Sequence, residues 1–313
     1  QRDLLRLLGG YTWQARNPDS WEGWYWGAKY VWGMEPVGQH AADVYGANLV
    51  PDVAENSELL LFWGCDPETT PWGFEGQMAS RVCYWFSELG IKCIYICPDL
   101  NYGAAVHADK WIPIKPNTDA ALHLAIAYVW ITEGTYDKEY VVTHTFGFEK
   151  FEEYVLGKED GIPKTPEWAA RITGVPEFTI KALAREWASK RTSTVHGNGG
   201  PYIRGPYSTE PGRLEVLLLA MQGLGKPGVH QLKMLEWGIF GQRSTNPMPV
   251  GKILPDFIAA YRGGLFAVDA ERGEQDIQEQ QTNIAQAFPK QIIAKDLIHD
   301  AILNPPISWY GTT

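Results

Sequence analysis

Three short apolar runs, each emptying into a loop of turn-forming residues, constrain this chain more than any other feature. "SELLLFWGCDP" (57–67) runs into Gly64 and Pro67, "IKCIYICPD" (91–99) into Pro98, and "KWIPIKPNTD" (110–119) into Pro116. Runs this short, apolar without alternation, predict strands buried on both faces. Helical patterns fill the intervals. "EGQMASRVCYWFSELG" (75–90) closes at Gly90, and "TDAALHLAIAYVWITEG" (118–134) closes at Gly134. The alternation predicts an α/β fold: a doubly wound, mostly parallel sheet with helices on both faces.

The pattern continues with two helices over 165–191, where Pro166 suits a first helical turn and Gly174 stops the first helix. A fourth strand is expected in "TSTVHGNGGP" (192–201), and a buried helix in "RLEVLLLAMQGLGKPGV" (213–229). Beyond residue 240 the pattern weakens, and there is no internal repeat. The chain opens in mid-pattern with "QRDLLRLLGG" and stops on "PPISWYGTT", so an interior piece of a larger polypeptide is expected, with any targeting signal unseen.

A formal net charge of −10 over 313 residues argues against nucleic acid or an anionic membrane as partner. The longest apolar stretch, 120–131, is interrupted by His123 and is too short to span a bilayer. The four cysteines are Cys65, Cys83, Cys93 and Cys97. Their spacing fits neither zinc nor an iron–sulfur cluster, so buried structural thiols are expected. Cys93 and Cys97 should share one strand face with Tyr95. Few cysteines and no disulfide framework suit a reducing compartment, here the cytoplasm.

No loop matches G-x-G-x-x-G or the P-loop, so an ordinary nicotinamide or ATP site is not indicated. The chain offers four polar loops instead: "GCDPETT", "CPDLN", "PNTD" and "HGNGG". At strand ends they would share one edge of the sheet, where ligands of such folds collect. Asp99 is placed to accept from ribose hydroxyls. Asp119 can take the paired N–H donors of a guanine edge while Thr118 fixes its rotamer; alternatively Thr118 or Asp119 caps the following helix. Together the loops favour a cofactor that carries a nucleotide.

"RNPDSWEGWYWG" (16–27) crowds an acid, a hydroxyl and aromatic rings into one loop. Asp19 with Glu22 three residues on fits a variant capping box. Against a simple cap stands ring density: Trp13, Trp21, Trp24, Trp26 and Trp32 all fall within the first 33 residues. Trp24, Tyr25 and Trp26 cover every helical face, so no amphipathic period explains them. Rings in a loop can stack on a flat substrate. Both readings stand.

In order along the chain, "LLLFWGCDPETT", "CPDLNYGAAVHADKWIPIKPNTDAAL", "TPEWAARITGVPEFTIKALARE" and "GLGKPG" resemble the cofactor-domain segments of the dimethyl sulfoxide reductase family of molybdopterin oxidoreductases. The likeness extends over most of residues 50–230. "NPDSWEG" is similar to the metal-site loop of members that transfer hydroxyl groups between polyhydroxylated benzenes. This resemblance implies bis(molybdopterin guanine dinucleotide) carrying molybdenum, with tungsten able to use the same ligands. Ser20 would be the metal ligand, a hard oxygen donor suited to a high-valent metal. Asp19 would act as acid/base, and Trp21 as a wall of the pocket for a polyphenol substrate.

For the cofactor, the resemblance implies Gly64, Cys65, Asp66, Thr69, Thr70, Pro98, Asp99, Asn101, Pro116, Thr118, Asp119, His196, Gly197 and Gly199. "PNTD" has Asn117 where the family pattern has glycine, and Cys65 replaces a residue more often Ala or Ser, so a backbone contact is expected there. For His196 the alternative is a buried histidine bonded to backbone. The implied organisation is a metal-site segment (1–50), a Rossmann-like guanine-dinucleotide domain (51–191), and a return to the cofactor domain (192–313). A small iron–sulfur subunit is implied as partner. The competing activities are a resorcinol-type hydroxylase with an external electron acceptor and, from another class, a non-catalytic cofactor-binding subunit. The piece alone is expected to be inactive.

Overall fold

The computed structural model describes residues 49–69, 78–196 and 207–233, with residues 23, 27, 30, 31, 299, 303 and 304 besides. Every element named below lies in one compact unit, Arg16–Met248.

Five strands form one sheet: β1 (Leu59–Trp63), β2 (Lys92–Ile96), β3 (Lys110–Ile112), β4 (Thr192–His196) and β5 (Gln231–Lys233). Their order is β3-β2-β1-β4-β5, and every pairing is parallel. The chain builds outward from β1 to β3, then returns to the other side of β1 for β4 and β5. The order therefore reverses between β1 and β4, and the carboxyl ends of those two strands flank the switch point.

Each strand alternates between two cores. On one face lie Leu59, Leu61, Trp63, Ile94, Ile96 and Ile112; on the other lie Leu60, Phe62, Cys93, Tyr95, Val195 and Leu232. In "LLLFW" the three leucines favour helix and only Phe62 and Trp63 favour strand. The segment is extended because both faces must be buried, and tertiary packing overrides propensity. The second face is covered by α1 (Leu49–Asn56), α2 (Met78–Glu88) and α3 (Tyr102–His107), through Val53, Val82, Cys83, Phe86 and Ala104. The first face carries the long return from β3 to β4: α4 (Asp119–Glu133), α5 (Lys138–His144), α6 (Phe148–Val155), α7 (Pro166–Thr173) and α8 (Glu177–Ala188). The β4–β5 connection, α9 (Thr209–Met221), packs on the same face. Helices cover both faces, as the sequence pattern requires.

Local signals account for the ends of these helices. Asn101 caps α3 by accepting from the Ala104 N–H at 2.8 Å. Asp137 caps α5 through Tyr140, and Thr165 caps α7 through Trp168 with Pro166 following. α4 is apolar all round because it lies deepest: Leu122, Ala125, Ile126, Ala127 and Trp130 are all fully buried.

Several sequence expectations are corrected. β3 stops at Ile112, short of the loop at Pro116, because Pro113 has no N–H for the ladder. The helix expected over 213–229 starts earlier, at Thr209, and ends at Met221 in a turn through Gly223, Gly225 and Gly228, all with positive φ. Helices α1, α3, α5 and α6 were not anticipated.

At the amino edge, opposite the strand carboxyl ends, Asp52 of α1 accepts from the Gly228 N–H (2.7 Å) and pairs with His230 (2.6 Å). The Ser57 and Ser193 hydroxyls lie 3.0 Å apart and each is within reach of the Gly228 carbonyl, at 2.9 and 3.0 Å, so their two protons are shared among these three contacts. These bonds tie α1, β1 and β4 to the approach of β5.

Candidate cofactor site at the carboxyl edge of the sheet

The loop after β1 is shaped by one carboxylate. Gly64 leaves the strand at φ 62° and still donates to the Ile96 carbonyl at 2.9 Å. Asp66 then turns inward. Its Oδ1 accepts from the N–H groups of Glu68 (3.1 Å), Thr69 (3.2 Å) and Gly103 (3.0 Å), and its Oδ2 accepts from the Thr69 hydroxyl. One side chain thus rigidifies 66–69 and fastens it to the first turn of α3. Cys65 is buried, its thiol pushed well up by burial, and its carbonyl accepts from the Asn101 amide.

Glu68 adds a second fastening. It accepts from the Ser80 hydroxyl of α2 at 2.8 and 2.9 Å and from His107 Nε2 of α3 at 2.5 Å. The buried His107 ring meets Tyr84 edge-on at 4.6 Å. The loop is therefore held from three sides before any ligand arrives, which lowers the ordering cost of binding.

After β2, Cys97 is buried, and its carbonyl accepts from the Trp111 indole at 3.1 Å. Pro98 and Asp99 are exposed on the edge, with the Asp99 carbonyl accepting from Asn101 N–H and the Cys97 thiol. After β3, Pro116 and Asn117 are exposed and Asn117 takes a left-handed φ of 60°. Asparagine tolerates that conformation better than most residues other than glycine.

The Asp119 carboxylate is buried. Its Oδ1 accepts from the indole N–H of Trp63, the last residue of β1, at 2.8 Å. Burial pushes its pKa up to about 6, against which the Trp63 and backbone N–H groups act only partly. One turn later, His123 donates from Nδ1 to the Asp119 carbonyl at 2.9 Å and stacks flat on Trp63, with ring centroids 4.0 Å apart. Full burial holds its pKa down to about 3, so the ring is neutral.

The structure thus brings Gly64, Cys65, Asp66, Thr69, Pro98, Asp99, Asn101, Pro116, Thr118 and Asp119 to the carboxyl edge of one sheet. Two roles are corrected. Thr118 makes no side-chain cap; its hydroxyl donates to the Lys115 carbonyl at 2.6 Å. Nor does it fix the Asp119 rotamer, which Trp63 does, because a strand-end indole N–H outcompetes a hydroxyl already engaged. His196 closes β4 opposite Lys233. Asp19, Ser20, Trp21, Thr70, Gly197 and Gly199 lie outside the described residues. Sequence reasoning missed Trp63, Glu68, His107 and His123. The one available signal was His123, a polar residue inside an otherwise apolar helix.

Among the described residues no group of three or more His, Cys, Asp or Glu side chains is placed to hold a metal ion, and no helix is long and apolar enough to cross a membrane. An open parallel sheet with braced polar loops around its switch point is the architecture of α/β proteins that bind nucleotide-bearing ligands. The sequence model of the family described as molybdopterin oxidoreductase matches residues 28–303, and the chain belongs to that family.

Membership implies a molybdenum–pterin cofactor. The large subunit of pyrogallol hydroxytransferase from Pelobacter acidigallici is 42% identical over 222 residues, covering 70% of this chain and 25% of that protein. Trimethylamine-N-oxide reductase from Haemophilus influenzae is 38% identical over 180 residues, 56% of this chain and 22% of the relative. Dimethyl sulfoxide/trimethylamine N-oxide reductase from Rhodobacter capsulatus is 36% identical over 200 residues, 63% and 23%. Among solved structures, acetylene hydratase from Pelobacter acetylenicus aligns at a TM-score of 0.45 with 23% identity, covering 73% of this chain and 28% of that one. The chain spans about a quarter of the length of the curated relatives it matches.

Proposed function

We propose that this chain is part of a molybdenum hydroxytransferase acting on polyhydroxylated benzenes, of the kind that converts pyrogallol to phloroglucinol. One observation carries the choice within the family: the 42% identity to the pyrogallol hydroxytransferase large subunit over 222 residues. The likeness of "NPDSWEG" to the metal-site loop of such enzymes agrees with it. The proposed cofactor is bis(molybdopterin guanine dinucleotide). Its fit to this chain is chemical. A guanine edge offers two adjacent N–H donors, and Asp119 is a buried carboxylate at the ligand-bearing edge for which burial outweighs the donors it has.

In this reading Asp119 takes the guanine edge, Asp99 the ribose, and the 64–70 loop the phosphates, with His196, Gly197 and Gly199 as further cofactor contacts. Ser20 ligates the metal, which when bound supplies the change of oxidation state that hydroxyl transfer on an aromatic ring draws upon. Asp19 moves the proton of a ring hydroxyl, since a carboxylate beside the substrate can accept and return it. Trp21 holds the ring by offset stacking. A small iron–sulfur subunit is the proposed partner, in keeping with the relative being a large subunit, and the cytoplasm the proposed location.

Ser20→Ala in the complete enzyme tests the assignment. We expect about one molybdenum or tungsten per chain in the wild type and loss of most of it in the variant, with pterin retained. Full metal content in the variant would sink the ligand assignment. Conversion of pyrogallol without any electron acceptor, given a tetrahydroxybenzene co-substrate, separates hydroxyl transfer from acceptor-dependent hydroxylation. A wild-type protein with pterin and no metal would point to the non-catalytic reading.

A further inference from the structure

We propose that Trp63, backed by His123, is a positioning residue that sets the Asp119 carboxylate for guanine and thereby fixes which nucleotide the site accepts. The inference rests on the guanine reading of Asp119 above.

An aspartate in the first turn of a helix ordinarily turns to the N–H groups of that turn. Asp119 keeps only its own N–H from that turn and reaches across to the sheet, where Trp63 Nε1 donates to its Oδ1 at 2.8 Å. Trp63 ends the central strand and is fully buried, so its N–H points in one direction only. The imidazole of His123 lies against its face at 4.0 Å with an 11° tilt. That imidazole is in turn fixed by Nδ1–H donation to the carbonyl of Asp119 itself. The three residues form a closed circuit: carboxylate to indole, indole to imidazole, imidazole to the backbone that carries the carboxylate.

His123 Nε2 is buried without a hydrogen-bond partner. A leucine would fill an apolar core without that burden, so packing alone gives no reason for the imidazole. What the imidazole adds is a flat ring and the N–H that orients it. The circuit matters because guanine is told from other purines by geometry. Guanine presents N1–H and a 2-amino group side by side, hypoxanthine only N1–H, and adenine a lone pair at N1. A carboxylate held in one plane can meet both guanine donors and repels the adenine lone pair; one free to rotate discriminates less.

The test is equilibrium binding of GDP, IDP and ADP to the full chain prepared without cofactor, in the wild type, Trp63→Phe, His123→Phe and Asp119→Asn. We expect wild type to prefer GDP over IDP by about tenfold, the equivalent of one good hydrogen bond. Trp63→Phe keeps a ring against His123 and removes the N–H; it should cut that ratio at least threefold while ADP binding changes little. If circular dichroism shows that Trp63→Phe does not fold, His123→Phe, which keeps the flat ring but not its anchor, carries the same criterion. An unchanged GDP/IDP ratio in a folded variant, with the ratio lost in Asp119→Asn, would overturn the positioning role and leave the guanine reading standing. A wild type that binds GDP no better than ADP would overturn the guanine reading and this inference with it.

Discussion

Asp119 and His123, one helical turn apart, titrate in opposite senses, and the stability of the fold registers both. The folded-state pKa of Asp119 is raised from 3.8 to about 6, so between those values the folded chain keeps a proton that the unfolded chain has released. Its contribution is present below pH 3.8 and is lost as pH rises through 6, a change of about 3 kcal/mol at 1.36 kcal/mol per unit. His123 is lowered from 6.5 to about 3, so its contribution is present above 6.5 and is lost as pH falls toward 3. The windows overlap and the signs oppose, leaving a shallow net profile. Asp119→Asn should therefore gain stability on wild type as pH rises from 4 to 7. His123→Phe should gain on wild type as pH falls over the same range. Urea unfolding across those pH values checks this, and profiles parallel to wild type would show that neither group titrates as its burial dictates.

At the scale of elements, α3 is the piece that braces the β1 loop, and Gly103 is where it touches. A Cβ there would meet Pro67 Cδ at 2.7 Å, Asp66 Oδ1 at 3.1 Å and the Tyr95 ring at 3.2 Å. Two of these atoms belong to the loop itself, so Gly103→Ala should push α3 off the loop and cost about 3 kcal/mol, the upper end for an overpacked site. Gly90→Ala is the control: its φ is +76° with nothing within 4 Å, so it should cost about 1 kcal/mol through backbone strain alone. Equal midpoint shifts in urea for the two variants would refute the docking argument. Such contacts mark where the sequence stopped being legible. Strands β1 and β2 could be read because burial on both faces leaves an unbroken apolar run, and α4 because it is long and capped by Gly134. Helix α3 spans six residues, too few for an amphipathic period, and β5 only three. The site divides the same way. Strand-end loops are local and place Asp66, Asp99 and Asp119 on one edge. The Trp63–Asp119 bond joins residues 56 positions apart, and Glu68–His107 joins residues 39 apart, which no local pattern records.

At the largest scale, within the unit Arg16–Met248, the sheet separates two cores, and among the described residues the one under α4 to α9 holds more buried side chains. The larger, under α4 to α9, holds Trp130 and Trp187 edge-on at 5.0 Å, with Trp130 donating to the Ala184 carbonyl. The smaller, under α1 to α3, holds all four thiols: Cys65, Cys83, Cys93 and Cys97. Burial pushes Cys93 up to about 12 and Cys97 up to about 11, and raises Cys65 and Cys83 further, so the folded state presents almost no thiolate. Alkylation must then wait for the smaller core to open. Because fewer of the described buried side chains hold that face, its opening should need less free energy than global unfolding. We expect the four thiols to label together in native buffer, far more slowly than a free thiol. The opening free energy should fall below that from denaturant unfolding followed by tryptophan fluorescence, to which Trp130 and Trp187 contribute. Peptide mass analysis resolves each site. Identical free energies by the two routes would mean that the cores melt as one, and rapid labelling of any one cysteine would mean that its face of the sheet is not closed.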